Sequence, residues 1–132
     1  MDLIIDTSAI IAVIANEPEK SALVAHTSGA SLLAPQSVHW EVGNAFSAMI
    51  KRRRVSLEQA RIAVGIYQTI PIRLLDVDLS HALTIAAEFD LYAYDAYLIA
   101  CALRQRCALL TLDRGLIHAA NQANVATVEV SA

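Results

Sequence analysis

Residues 3–15 read LIIDTSAIIAVIA, and this stretch indicates how the chain folds. Leu3–Ile5 is a short apolar run that ends at Asp6, as expected of a buried strand. The apolar run Ala9–Ala15 is too long for a strand and fits a helix. The stretch therefore predicts a strand, a turn that holds Asp6, and a helix.

The alternation of strands and helices continues along the chain. Further strands are predicted at Ser31–Ala34, Ile72–Leu75, Ala108–Leu112 and Ala126–Val130. The intervening segments carry helical periodicity or helix-end signals, such as Pro18 before a helix that ends near Gly29. Strands separated by helices pair in parallel through crossover connections. We therefore expect one domain, residues 1–132, with an α/β fold: a three-layer α/β/α sandwich around a central parallel sheet of about five strands.

Composition limits the possible functions. A net charge of −3 argues against binding nucleic acid through the whole surface, because such binding needs clustered Lys and Arg. No apolar run approaches the roughly 20 residues of a membrane span, and the N-terminal segment has no secretory signal pattern. We therefore expect no membrane association and a cytoplasmic location. Cys101 and Cys107 are six residues apart on one predicted helix, which favours free thiols over a metal site or a local disulfide.

Four acids are candidates for one site. Asp6 and Asp113 each follow an apolar strand, and ligands collect at the carboxyl ends of parallel strands. Asp95 lies in the first turn of a helix, and Glu41 lies within the helix that starts near Ser37. Carboxylates about 5 Å apart repel by roughly 3 kcal/mol per pair, so such a cluster needs a cation. Oxygen ligands without cysteine or histidine select Mg²⁺ or Mn²⁺.

Each acid also has a purely structural explanation. Asp6 and Asp113 are suited to cap the helices that follow them. Asp95 is favoured by the helix dipole, and Glu41 could be a solvated helix side chain. Only the pattern of all four together favours a metal site.

Four segments that carry these acids resemble one known family. They are IIDTSAIIA at residues 4–12, HWEVGNAF at 39–46, YDAYLIACAL at 94–103 and LLTLDRGL at 109–116. Together they resemble the PIN-domain family, and within it the VapC-like toxins of type II toxin-antitoxin systems. The resemblance implies that Asp6, Glu41, Asp95 and Asp113 are the catalytic acids and metal ligands.

The resemblance carries further expectations across nearly the whole chain. It implies supporting roles for Ser8, Asn44 and Thr111, which accompany the acids in these segments. It also implies a Mg²⁺- or Mn²⁺-dependent endoribonuclease, an RNA substrate, a homodimer and inhibition by a small antitoxin protein.

Other functions fit the sequence less well. A haloacid-dehalogenase-type phosphotransferase needs a second aspartate two residues after the first, where this chain has Ser8. A receiver domain needs a lysine after a late strand, and no lysine follows Lys51. The alternative from another class is a catalytically silent PIN-like module that acts through protein-partner binding.

Several other features have two interpretations. Arg114 could contact an RNA phosphate, and the basic run 51–54 could bind RNA or an acidic antitoxin segment, or could be a solvated helix end. The aromatic residues could stack on bases, although packing in the core or in a dimer is the simpler use; they are Trp40, Tyr92, Tyr94 and Tyr97. We expect the dimer surface at Ala45–Ile50 and Ala82–Ala87.

Overall fold

The structure, a computed structural model, describes residues 1–131. The strands in this range are β1 (Asp2–Ile5), β2 (Ser31–Pro35), β3 (Ile72–Leu75) and β4 (Ala108–Leu110). The helices are α1 (Thr7–Ile14), α2 (Lys20–Thr27), α3 (Ser37–Lys51), α4 (Leu57–Thr69), α5 (Leu79–Phe89), α6 (Ala93–Gln105) and α7 (Arg114–Gln122). The predicted alternation of strands and helices is thus confirmed.

The strands form one parallel sheet in the order β3-β2-β1-β4. β1 is therefore an inner strand, and its Ile4 pairs with Leu33 of β2 and Leu109 of β4. All three of these side chains are almost completely buried, as expected for a strand that is covered on both faces of a parallel sheet.

The strand order explains how the helices divide between the two faces. The chain moves from β1 to β2 to β3 in one direction and then returns across the sheet to β4. Because crossover connections are right-handed, α1–α4 cover one face, while α5 and α6 cover the other. The contacts agree: α1 packs against α2, α3 and α4, while α6 packs across β1, β2 and β4. This arrangement confirms the predicted parallel α/β fold.

The predicted fifth strand at residues 126–130 is reduced to a single bridge within residues 1–131. Thr127 pairs with Leu109, with hydrogen bonds from Leu109 N to Ala126 O (2.9 Å) and from Val128 N to Leu109 O (3.1 Å). β4 is only three residues long, so it offers little backbone for another strand to pair with. The sheet therefore has four strands rather than about five.

Two other expectations need correction. α2 begins at Lys20 rather than at Pro18, because residues 18 and 19 form a turn. Part of the expected dimer surface lies in the monomer's own core, where Phe46, Ala82 and Ile85 are at most 5% exposed. A dimer contact at those positions would require the core to open. Cys101 and Cys107 are free, as predicted, and no helix within residues 1–131 is long and apolar enough to cross a membrane.

Candidate active site

The ends of β1 and β4 bring Asp6 and Asp113 to the same edge of the sheet. The last residues of the two strands, Ile5 and Leu110, are register partners, and Asp6 N donates to Leu110 O (3.3 Å). The chain leaves β1 and β4 toward helices on different faces, so a crevice opens between these two strand ends. Asp6 therefore lies where open parallel sheets bind ligands.

Asp6 is a buried carboxylate held by donors from its own turn. It is 5% exposed, and its Oδ1 accepts hydrogen bonds from Ala9 N (3.0 Å) and Ser8 Oγ (2.8 Å). These bonds make Asp6 the N-cap of α1, so the capping interpretation is confirmed. Capping fixes the carboxylate in position and does not exclude a second role for it.

Two hydroxyl groups connect the turn after β1 to the turn after β4. Thr111, which is buried, donates to Asp6 Oδ2 and accepts from Asp113 N (3.0 Å). Ser8 Oγ accepts from Leu112 N (3.0 Å) while it donates to Asp6. Ser8 and Thr111 thus hold the two turns, and therefore the two aspartates, in a fixed relation.

Asp113 is the N-cap of α7, and it is exposed. Its Oδ1 accepts from Gly115 N (2.9 Å) and from Leu116 N (3.3 Å). A side chain at position 115 would crowd this carboxylate, since a Cβ built there would lie 3.3 Å from Asp113 Oδ1. The glycine therefore leaves room for the cap, and capping is confirmed for this acid as well.

Glu41 and Asp95 reach the site from helices on opposite faces of the sheet. Glu41 is on the second turn of α3, Asp95 is in the first turn of α6, and both are half-buried. Within residues 1–131, Glu41 Oε2 is buried without a hydrogen-bond partner. A buried carboxylate oxygen without a donor is unfavourable, so this oxygen is available to a cation.

The four acids repel one another around a ring. Burial raises the pKa of Glu41 to about 7, and the charges of Asp6 and Asp95 add to the rise. The nearby Ser37 hydroxyl partly lowers the pKa of Glu41. Within the described residues, Ser37 Oγ itself is buried and makes no hydrogen bond. Burial also raises the pKa values of Asp6 and Asp95, with a further contribution from Asp113 in both cases. Charge repulsion thus links Glu41 with Asp6 and Asp95, and links these two aspartates with Asp113; we call these four acids the acidic ring.

The ring is wider than a metal site. No three histidine, cysteine, aspartate or glutamate side chains among residues 1–131 converge closely enough to coordinate one ion. Asp6 and Asp113 turn carboxylate oxygens toward the backbone amides that they cap rather than toward a shared point. The donor set still fits a hard divalent cation, since it consists of carboxylate oxygens and includes the unpaired Glu41 Oε2.

Other predicted residues lie outside this hydrogen-bonded network. Asn44 is exposed one turn after Glu41, and in residues 1–131 its side chain forms no hydrogen bond with the four acids. Arg114 is exposed at the first position of α7, next to Asp113. Trp40, Tyr92 and Tyr94 are 74%, 88% and 58% exposed, so they do not pack in the monomer's core, and packing in a dimer stays a prediction.

Asp76 also follows a strand, although we did not include it among the candidate acids. It lies after β3, at the far edge of the sheet from β4. There it lines a cavity of about 180 Å³ with Asp78, His81 and Arg104. Asp76 is therefore separated from Asp6 by strand β2 and from Asp113 by β2 and β1.

Comparison with known proteins supports this description. A family model for the PIN domain matches residues 3–122. PAE2754 from Pyrobaculum aerophilum has a similar structure, with 23% identity, a TM-score of 0.75, and coverage of 97% of this chain and 84% of that one. Two further structures are similar to this chain in fold. One is VapBC2 from Rickettsia felis, solved with a promoter DNA fragment. The other is VapC20 from Mycobacterium tuberculosis, described as a toxin that cleaves the sarcin-ricin loop. Their identities are 12% and 15%, their TM-scores are 0.69 and 0.63, and the match covers 99% and 89% of this chain and 100% and 94% of theirs. No curated protein matches the sequence significantly.

Proposed function

The chain belongs to the PIN domain family, and we propose that it is a metal-dependent endoribonuclease that hydrolyses RNA phosphodiester bonds. The ring formed by Asp6, Glu41, Asp95 and Asp113 is the observation that supports this proposal most directly. The repulsion among these acids, and the burial of Asp6, Glu41 and Asp95, raise the free energy of the ionised side chains, and a bound divalent cation would offset that cost.

We propose that the same four acids hold Mg²⁺ or Mn²⁺. When bound, such an ion activates a water molecule and stabilises the charge that develops on the phosphate. Asp6 is the anchor of the site, because it is the most deeply buried of the four and its orientation is fixed by Ser8 and Thr111. Glu41 supplies an oxygen with no competing hydrogen bond.

The remaining candidates have supporting roles in this proposal. Ser8 and Thr111 position Asp6, and Thr111 also holds the backbone amide of Asp113. Asn44 follows Glu41 by one turn on α3, which allows it to contact substrate at the rim of the site. Arg114 is exposed beside Asp113 and is suited to contact an RNA phosphate.

We further propose that the chain is the toxin of a toxin-antitoxin pair, acts in the cytoplasm and forms a homodimer. The fold is shared with a VapBC2 assembly and with the toxin VapC20, which supports a small antitoxin as partner. An acidic crevice also gives an antitoxin a simple means of inhibition. An arginine placed among the four acids would bond two carboxylate oxygens at once and occupy the position of the metal.

A cleavage assay with a matched control tests the enzyme proposal. Wild type, Asp6→Asn and Asp76→Asn are incubated with a random-sequence RNA pool, with Mn²⁺ or with chelator, and new RNA ends are sequenced. Both substitutions remove one carboxylate after a strand, but only Asp6 belongs to the ring. We expect cleavage by wild type and Asp76→Asn in Mn²⁺ alone. Equal cleavage by Asp6→Asn contradicts the assignment, and no cleavage by wild type favours the catalytically silent module.

A further inference from the structure

The outer face of α3 carries an exposed stripe that begins beside the acidic ring. Trp40, Asn44, Ser47 and Lys51 are all exposed, and their spacing places them within about 60° of arc on the helix. The stripe is about 16 Å long, and it continues into the exposed basic residues 52–54. Nothing within 4 Å would meet a Cβ at Gly43, so the surface next to the stripe is open.

Trp40 is exposed, yet its ring has a fixed neighbour. The His39 ring meets the Trp40 ring edge to face, with centroids 4.8 Å apart. His39 Nδ1 is in turn 3.1 Å from the hydroxyl oxygen of Tyr67, a residue that is 7% exposed. A buried residue on α4 thus orients an exposed indole on α3. Trp40 is the residue before Glu41 on α3, and its side chain is about 100° around the helix from that of Glu41.

The stripe differs in composition from the exposed faces of α4 and α5. The exposed aliphatic side chains of α4 and α5 are suited to protein contacts; they are Leu57, Ile62, Ile66, Leu79 and Leu83. The α3 stripe instead combines one aromatic ring, two small polar side chains and a basic run. In a chain with a net charge of −3, these cations form a local positive patch. Aromatic rings with nearby cations are the features that bind single-stranded nucleic acid.

We propose that the outer face of α3 binds single-stranded RNA, with a base stacked on Trp40 and phosphates bound by Lys51, Arg52, Arg53 and Arg54. This inference rests on the proposed ribonuclease function. A base in a duplex is stacked on both sides, so Trp40 favours RNA that is unpaired where it crosses α3.

The first arm of the test uses Trp40 as its own reporter, because it is the one tryptophan in the sequence. A short single-stranded RNA oligonucleotide of mixed sequence is added to the protein in chelator, which keeps the RNA intact. We expect quenching of the indole emission, with little change when the same RNA is supplied as a duplex. Emission that instead changes with protein concentration alone would assign Trp40 to self-association and overturn the proposal.

The second arm measures affinity by polarisation of the labelled RNA. We expect Trp40→Ala to bind roughly 5- to 150-fold more weakly and Trp40→Phe to retain most of the affinity, since stacking depends on an aromatic face. Replacing residues 51–54 with glutamine should make the binding constant less dependent on salt. The slope of log K against log salt concentration should fall by about 0.7 for each phosphate that these side chains no longer neutralise. The control is the pair Arg61→Gln and Arg73→Gln, which removes exposed arginines on α4 and β3.

The two proposals fail in different ways. If the wild type cleaves RNA but Trp40→Ala and the glutamine variant bind as the wild type does, the α3 face is not the RNA-binding surface and the ribonuclease proposal stands. If the wild type neither cleaves RNA in Mn²⁺ nor binds it, both proposals are wrong.

Discussion

Glu41→Gln should make the metal-free protein more stable at pH 8 and less responsive to metal. The substitution keeps the shape of the side chain and removes its charge. Burial and the neighbouring carboxylates raise the pKa of Glu41 from 4.5 to about 7, so its ionisation opposes folding. A group with a raised folded-state pKa stabilises the fold below its unfolded pKa, and this contribution is lost as the pH rises through 7. The gain from Glu41→Gln should therefore be small at pH 5 and full at pH 8.

The magnitude follows from the size of the shift. A change from 4.5 to about 7 corresponds to at most about 3 kcal/mol. Glu41 is only half-buried, so solvent screening reduces the expected gain to about 1–2 kcal/mol. For a domain of 132 residues, that gain corresponds to a rise in Tm of roughly 4–7 °C. With Mn²⁺ this gain should be largely cancelled, because a tenfold loss of metal affinity lowers the ligand stabilisation by about 1.4 kcal/mol.

Thermal unfolding at pH 5 and pH 8, each with chelator and with Mn²⁺, measures both effects. The matched control is Glu88→Gln on α5, which removes an exposed helical glutamate away from the ring. We expect the control to differ little from wild type under all four conditions. A Glu41→Gln variant no more stable than wild type at pH 8 in chelator, or one stabilised by Mn²⁺ as much as wild type, would refute the reasoning.

Three further predictions concern the network, the antitoxin and the dimer. Thr111→Val removes one of the two donors to Asp6 Oδ2 and leaves the amide of Asp113 without its partner, so we expect a loss of about 1–3 kcal/mol in chemical unfolding, against almost none for the exposed Thr84→Val. Equal losses would contradict a specific role of Thr111. An antitoxin peptide that inserts an arginine among the acids should bind more weakly as Mn²⁺ rises in titration calorimetry, and a constant affinity would mean inhibition from a remote surface. Because Phe46, Ala82 and Ile85 are buried, the homodimer should use the exposed side chains of the expected surface, such as Leu83, and Leu83→Lys should halve the mass seen by light scattering; a wild-type monomer would remove this expectation.

Local sequence patterns predicted most elements of the fold because they depend on near neighbours. The apolar stripe of α3, which includes Val38 and Val42, fixes the helix and also places Trp40 away from the core, which leaves packing in a dimer or stacking on a base as uses of that ring. The fifth strand could not be predicted in the same way. Its pairing depends on the length of β4, and β4 ends at Leu110 because the next residues turn toward the acidic ring.

The candidate site was predicted only as far as strand order allows. Asp6, Asp76 and Asp113 each follow an apolar strand, so this pattern alone does not distinguish them. In the order β3-β2-β1-β4, Asp6 and Asp113 follow neighbouring strands, whereas Asp76 follows the strand at the opposite edge of the sheet. Strand order depends on long-range packing and on the handedness of the crossover connections, so it cannot be predicted from a local sequence pattern. In this chain the resemblance to a known family, rather than the spacing of the acids, separated Asp76 from the others.

The capping and metal-binding interpretations of Asp6 and Asp113 are compatible, and the structure gives a reason to combine them. A carboxylate that caps a helix is already oriented by backbone amides, and in Asp6 it is also buried by the strand before it. Burial raises the pKa of Asp6, while the hydrogen bonds from Thr111, Ala9 and Ser8 lower it again. These donors stabilise the ionised carboxylate inside the domain, in the form that a cation binds. The residues that begin α1 and α7 are therefore also suited to hold a metal, and a sequence pattern that indicates a helix cap is not evidence against a ligand.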